Sequence, residues 1–496
     1  MTSPPVEVVV IGGGPAGATA ARLLREWGHA VVLLHRPAGP RPPLAVSIPP
    51  STRKILAAVG ALPWVEGHGF LRTTGNTSWW GTESPRVETF SADAVAAGFQ
   101  VLRADLEHLL LRHAAASGVA VREDLRVRDV RFGDPNGARL HVEGSGGRRE
   151  EIRARQVLDA SGRAGVVARQ GFRERDGPLT LALAAVWRRD GGFPVADDSH
   201  TLVEAYASGW AWSVPVAPGL RHVTVMIDPP RPAPGRRDLA SLYAQELRKA
   251  GHLEAVLAGG EQLGPCWAAD ASTYGARAFE APGLLLVGDA GSFIDPLSSF
   301  GVKKALASAW LAAVATHTAL RHPERAPMAR AFFSRREGQV HGRYAHETAR
   351  YAEQAALRYV TSAFWRARAT PPAAPLDDPD AGLAEAGLIQ AAFEALKSQP
   401  RLGLGLSPDV RIAPAPLVVD REIVMADALQ PGAGNAVHFV GGLHAATLAR
   451  LAPHADQVGE LYEAYNRQAP AVALGEFLHG LAILLAAGLV RHETTR

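Results

Sequence analysis

The chain has 496 residues, 47% of them apolar and 20% charged, which supplies a large core and excludes a disordered chain. Its 52 basic and 49 acidic residues leave a net charge of +3, giving no reason to expect nucleic-acid binding. A single cysteine, Cys266, excludes a disulfide framework and any site built from several thiolates. At roughly 150 residues per domain, the length suggests about three domains or one large composite fold. The apolar run at residues 8–11 is too short for a secretory segment. The longest apolar stretch, residues 480–490, falls short of the ~20 residues a membrane span needs. A cytoplasmic protein that spans no membrane is expected.

In chain order, residues 6–11 (VEVVVI) predict a strand and lead straight into Gly12-Gly13-Gly14-Pro15-Ala16-Gly17. Residues 18–27 carry helix formers, and residues 30–34 (AVVLL) predict a second buried strand. Together they make a βαβ unit of about 30 residues, the size of a mononucleotide-binding half. Further strand-and-turn signals lie at residues 156–162 (QVLDASG) and 283–291 (GLLLVGDAG), the latter ahead of a helix expected over about 302–320. Between them, residues 72–99 and 179–229 alternate apolar and polar side chains and read as antiparallel strands. Residues 337–368 read as one continuous helix carrying Tyr344, Tyr351, Tyr359 and Trp365, and residues 370–380 (TPPAAPLDDPD) read as a linker. Short helices are expected after it.

Gly12-x-Gly14-x-x-Gly17 between a strand and a helix has the form of a dinucleotide fingerprint. Gly12 permits the tight turn, Gly14 lets the backbone approach a pyrophosphate, and Gly17 allows close helix–strand packing, with the helix N–H groups facing the phosphates. The acidic residue expected at the end of the second strand is His35 here, which can form one hydrogen bond to a ribose but not a carboxylate's two. Residues 283–301 place Asp289 at a strand end, within reach of a ribityl hydroxyl. A helix starting near Gly301 can point its N–H groups at a flavin and stabilise the charge of the reduced ring. FAD is the cofactor this pattern leads to expect.

Gly12, Gly14, Gly17, Arg103 of VLRADLEHLL, Asp159 of DASG and Asp289 of GDA follow one another in an order and spacing that resembles FAD-dependent monooxygenases of the p-hydroxybenzoate hydroxylase fold, over about residues 6–345. The resemblance implies an α/β architecture: a glutathione-reductase-type FAD-binding domain over residues 1–345, with an inserted antiparallel β-sheet substrate domain at about 72–100 and 179–265. A helical C-terminal domain over residues 346–496, winged-helix-like at its end, would follow. FAD contacts are implied for Arg103 and Asp289, and are expected of Ser47, Pro296 and Gly301 beside the fingerprint glycines and His35. Asp159 is expected to organise a turn.

Within that superfamily, Trp210-Ala211-Trp212-Ser213-Val214-Pro215 resembles the W-x-W-x-I-P signature of flavin-dependent halogenases, with Val for Ile. Phe293-x-x-Pro296-x-x-Ser299-x-Gly301 resembles their second signature. Tryptophans on alternate strand positions share one sheet face and can wall off an oxygenated flavin. The lysine that halogenases require has no counterpart: residues 75–81 (GNTSWWG) carry Trp79 in its place, and Lys54 is the only lysine in the first half of the chain. Ser298 stands where tryptophan halogenases carry a glutamate. This argues for aromatic hydroxylation through a C4a-hydroperoxyflavin, which needs positioning and a dry pocket rather than a protein nucleophile. Asn76, Ser78, Trp80, Trp210 and Trp212 are the expected substrate-pocket residues. No catalytic acid or base is nominated and no metal is expected; His341 and His346 lie five apart and share no helix face.

Residues 44–62 (LAVSIPPSTRKILAAVGAL), the GNTSWWG segment and the long C-terminal region are similar to a narrower group, the flavin monooxygenases of tryptophylquinone-cofactor biogenesis. That similarity implies a tryptophan within a peptide or small protein as the aromatic substrate. With one nucleotide fingerprint in the chain, electrons are expected from transiently bound NAD(P)H or a separate flavin reductase. A halogenase, an FAD-dependent reductase of prenyl chains and a non-catalytic, FAD-stabilised peptide scaffold remain as alternatives.

Overall fold

Val8, Val9 and Val10 have no exposed surface, because their strand (Val6–Ile11) is the centre of a parallel sheet covered on both faces. It pairs with Arg149–Asp159 on one side and Val31–Leu34 on the other. Leu284–Leu286 extends the first side and Ala120–Arg122 the second, again in parallel. The chain thus builds outward in both directions from Val6–Ile11. The carboxyl ends of the strands at such a switch point are where α/β sheets bind ligands. The computed structural model describes residues 6–36, 43–90, 97–134, 137–230, 238–370, 383–398, 401, 403–432 and 434–492. The chain divides into two units, residues 1–375 and 376–496.

A second, seven-stranded sheet of the first unit runs in the order Glu261–Asp270, Leu181–Arg188, Leu220–Ile227, Gly209–Ala217, Thr201–Tyr206, Gly75–Trp79 and Arg86–Thr89. On one face Glu204 accepts hydrogen bonds from the backbone N–H groups of His252 (3.2 Å) and Leu253 (2.8 Å), seating the helix Gly251–Leu257 there. The other face carries Trp210 and Trp212 and is partly covered by Phe364 and Trp365.

The structure departs from the sequence expectations in four places. Thr201–Tyr206 and Gly75–Trp79 pair in parallel, because the two segments enter the sheet from separate insertions. Leu71–Thr73 and Gly98–Leu102 leave that sheet to form a three-stranded one with Ala45–Ile48, while the large sheet continues to Asp270. The expected helix over 337–368 is two helices, Ala326–Arg358 and Ala363–Arg368, and the first runs across the boundary expected at 345/346. The break arises where Tyr359 leaves helical geometry (φ −104°, ψ 62°) and Ser362 caps the second helix by accepting the Trp365 N–H at 3.1 Å. Both aromatic rings then reach one strand: the Tyr359 hydroxyl donates to the Ala205 carbonyl (2.9 Å) and the Trp365 indole to the Tyr206 carbonyl (2.8 Å). Fourth, the second unit adds to its helices a hairpin, Val410–Val419 with Glu422–Pro431. Pro414 and Pro416 lie in the first of these strands, where short helices were expected, and a two-stranded ladder accommodates them because it is all edge. The helices Ala445–Leu451, Val458–Gln468 and Leu474–Ala486 bury Leu448, Leu461, Tyr465, Phe477 and Leu481. The expected linker lies almost wholly outside the described residues, as do residues 91–96 of the first alternating stretch.

Trp365 is 1% exposed and holds the break in place by packing and by its indole hydrogen bond. Trp365→Ala is expected to lower unfolding free energy by about 3–5 kcal/mol, measured by urea denaturation, because the cavity is lined by aromatic rings fixed from several elements.

Candidate active site

The turn after the first strand is set by close approaches that only glycine permits. Gly12 has φ +106° and donates to the Leu34 carbonyl at 2.8 Å, and a Cβ there would lie 2.5 Å from the Ala160 oxygen. A Cβ on Gly17 would lie 1.8 Å from the Gly12 oxygen, so helix Pro15–Glu26 can dock on the turn only without one. Gly14 is the opposite case: the nearest atom to its Cβ position is Glu107 Oε1 at 3.9 Å. It caps the helix without any side-chain hydrogen bond. The leading N–H groups of the helix therefore face a side open to an anion. The His35 ring packs on the same loop, its Nδ1 lying 2.6 Å from where a Gly13 Cβ would stand.

Arg103 opens helix Arg103–Ala116, and its backbone N–H donates to the Leu44 carbonyl at 2.8 Å, tying the helix to strand Ala45–Ile48. Its Nε donates to Glu107 Oε1 at 2.8 Å while about a third of the side chain (36%) stays exposed. Burial pulls the guanidinium pKa down, but Glu107 and Asp289 outweigh it and raise the pKa, fixing the positive charge. The Asp289 backbone is pinned from outside, its carbonyl accepting from Tyr274 Oη (2.7 Å) and Arg173 Nη2 (2.8 Å). The carboxylate itself acts on two cations, Arg103 and, 3.7 Å away, Lys304. Asp159, with no exposed surface, organises a turn as expected: Oδ1 accepts the Ser161 N–H, and Oδ2 accepts those of Val167 (2.8 Å) and Ala168 (2.9 Å).

Behind the Asp289 turn lies a buried polar group that the sequence reading missed. Lys304 Nζ, 1% exposed as a side chain, donates to the Ser292 carbonyl and stands 3.7 Å from Asp289 Oδ1. Ser308 Oγ accepts the Gly288 N–H at 2.8 Å and hydrogen-bonds Glu337, whose Oε2 has no partner. Burial pushes the Glu337 carboxyl up to about 7 against the opposing influence of Lys304 and Ser308. The one signal in the sequence was a lysine at an otherwise apolar position of an Ala- and Leu-rich helix.

Pro296 begins a short 3-10 turn, with Asp295 accepting the Leu297 N–H at 2.9 Å. Ser299 follows at φ 54°, a left-handed conformation that costs a serine about 1–3 kcal/mol and is characteristic of functional loops. Helix Gly301–Arg321 then starts without a side-chain cap, and Gly301 has open space around its Cβ position. Ser47 pairs with Gln100, whose side chain donates to Thr201 Oγ1 at 2.9 Å, so both point to the seven-stranded sheet.

Strand register puts Asn76, Ser78, Trp210 and Trp212 on a single face of that sheet. Trp80, just past the strand end, joins them: its ring lies edge-on to Trp210 (6.4 Å) and Trp365 (5.2 Å), and its indole donates to the Tyr351 carbonyl at 2.9 Å. Trp210 and Trp212 are themselves edge to face at 5.8 Å, in a cluster that includes Leu297 of the Pro296 turn. Trp79 points the other way and stacks on His252, with centroids 4.8 Å apart and planes 9° from parallel.

Residues 5–322 match the FAD binding domain family. The chain belongs to that family. FAD is its cofactor, and the glycine turn, the open helix N-terminus and the Arg103–Asp289 pair are groups that fit an adenine dinucleotide with a ribityl chain. Proteins similar to this chain carry halogenase and hydroxylase names. A tryptophan 2-halogenase of Chondromyces crocatus is 32% identical over 314 residues, covering 62% of this chain and 60% of that protein. The chain spans between 60% and 66% of the length of the first curated relatives that it matches. In structure, the flavin-dependent halogenase CmlS superposes with a TM-score of 0.78 at 23% identity over 99% of this chain and 96% of that one. The peptidyl tryptophan dihydroxylase QhpG superposes with a TM-score of 0.70 at 24% identity over 98% and 100%. At these identities the two structures establish the fold. No described helix of this flavoprotein is long and apolar enough to cross a membrane.

Two outcomes follow for the flavoprotein. Gly17→Ala should yield protein without the yellow flavin absorbance after purification and reconstitution with FAD, whereas Gly14→Ala, whose methyl clashes with no protein atom but projects into the side left open to the pyrophosphate, should keep its urea midpoint and yet retain less FAD than wild type. Glu337 keeps its proton longer in the folded chain than in the unfolded one, so its contribution to stability is full below the ordinary glutamate pKa and fades as pH rises through about 7. Denaturant midpoints of wild type and Glu337→Gln should therefore agree more closely at pH 5 than at pH 8, with the variant gaining relative to wild type as pH rises.

Proposed function

We propose that this flavoprotein is a monooxygenase that hydroxylates an electron-rich, indole-type aromatic ring. The observation that carries the reading is the facing of residues 75–80. Trp79, at the position of the halogenase lysine, packs into the far layer on His252, while Asn76, Ser78 and Trp80 share the Trp210–Trp212 face and none of the five carries an ammonium. Lys304 is engaged with Ser292 and Asp289, and Lys303 donates to Ser51 Oγ at 3.3 Å.

FAD, once bound and reduced, supplies the oxygen-activating chemistry. The chain's own residues hold and shield. The fingerprint turn and its helix amides hold the pyrophosphate, and Arg103 and Asp289 orient the ribityl chain. Trp80, Trp210 and Trp212 keep water from the face that the substrate approaches, where Asn76 and Ser78 offer polar contacts. Among indoles, we favour the tryptophan side chain of a peptide or small protein. The similarity of residues 44–62 and 75–81 to the tryptophylquinone-biogenesis monooxygenases supports this, as does a fold shared with the dihydroxylase over nearly the whole chain. With one nucleotide fingerprint, reducing equivalents come from NAD(P)H bound in passing or from a separate reductase. The lone cysteine suits a reducing, cytoplasmic setting.

A second reading, halogenation, is favoured by the curated relatives, which are halogenases by name. Mixing the reduced protein with O₂, a tryptophan-containing peptide and bromide separates the two. A product heavier by one oxygen, formed equally without bromide, supports hydroxylation; a brominated product that requires bromide replaces it with halogenation.

A further inference from the structure

The large sheet's substrate-side face carries a buried histidine that none of the assigned roles uses. Cross-strand register places His222 in a row with Asn76, Thr201, Val214 and Val186. The adjacent row on the same face holds Ser78, Trp212, Thr224 and Trp267. Beyond that, the row of Trp210 and Met226 is packed with Phe364 and Trp365. At the other end, His222 hydrogen-bonds the Pro43 carbonyl, in the segment leading to the strand of Ser47. The Ser78–Trp212–Thr224–Trp267 row runs between His222 and the Trp210 cluster that includes Leu297, with Trp212 and Thr224 themselves buried.

The His222 ring is 5% exposed and lies edge-on to Trp267, with centroids 6.4 Å apart. Because Nδ1 is the nitrogen without a partner, the Nε2–H is the one that donates to Pro43. Burial lowers the imidazole pKa to about 4, so the ring is neutral near pH 7 and Nδ1 presents a lone pair. A buried acceptor without a donor is uncommon in a folded protein and marks a place where a donor belongs. Beside it stand two indole rings able to stack on or edge against a flat ligand.

We propose that His222 Nδ1 accepts the ring N–H of an indole substrate, and so sets which edge of the ring faces the cofactor. The inference rests on the aromatic-substrate reading and adds to it the contact that selects N–H heteroaromatics. Thr224 and Ser78, in the adjacent row, are the neighbouring side chains that limit how far the ring can slide.

The test is calorimetric binding of indole and of benzothiophene, its near-isostere without an N–H, to the oxidised FAD-loaded protein. His222→Leu should weaken indole binding about tenfold, the size of one neutral hydrogen bond in a desolvated site, and leave benzothiophene unchanged. His222→Gln, which keeps an acceptor, should recover most of the loss. Equal weakening of both ligands would reduce His222 to a packing residue, and no weakening of either would leave water as its only partner; each result overturns the assignment. The wild-type imidazole nitrogen resonances give a readout that requires no variant to fold: they should shift with indole and not with benzothiophene. Because product is never measured, a brominated product elsewhere would defeat the hydroxylase reading without touching this one.

Discussion

The contact between the Gly17 Cα and the Gly12 carbonyl is the constraint on which the cofactor crevice depends. Helix Pro15–Glu26 must approach the sheet so closely that a methyl group at residue 17 would occupy the same space as a backbone oxygen. That approach aims the uncapped amides across the carboxyl end of the central strand, and it sets the His35 ring against Gly13. On the other side of the crevice, Gly288 bears on the same helix, with Ala16 Cβ 3.0 Å from its Cβ position. Two glycine contacts thus fix the distance between the fingerprint turn and the turn that carries Asp289.

The charges around that crevice are arranged in depth. Arg103 and Asp289 face it, while Lys304, Ser308 and Glu337 stand behind, buried and linked to the Asp289 turn through the Gly288 N–H and the Ser292 carbonyl. A cation so deep is costly unless paired, and the carboxylates that act on it are Asp289, at 3.7 Å, and Glu337, whose pKa burial raises to about 7.

The large sheet divides its labour by parity. Alternate residues of one strand send Trp79 into the layer with His252 and send Asn76 and Ser78 to the face of the paired tryptophans. A shift of one residue in that strand would exchange the two sets, so the register with Thr201–Tyr206 decides which side chains can meet a substrate. Those two strands run parallel, a relation available only because the sheet is assembled from separate insertions.

The sequence by itself determined the glycine turn, the Asp289 turn and the family to which they point, because each is a local pattern in which backbone geometry dictates residue type within a few positions. It also foretold that Asp159 serves a turn, and that Trp210 and Trp212 share a face, since strand periodicity is local as well. The break after Arg358 was decided by tertiary contacts, Tyr359 and Trp365 reaching carbonyls of a strand some 150 residues earlier. The proline-bearing hairpin of the second unit and the parallel strand pair were likewise settled by partners distant in sequence. The same holds for Glu337 behind Asp289 and for the unpartnered nitrogen of His222: a buried polar atom is defined by what surrounds it, and no spacing of letters records that.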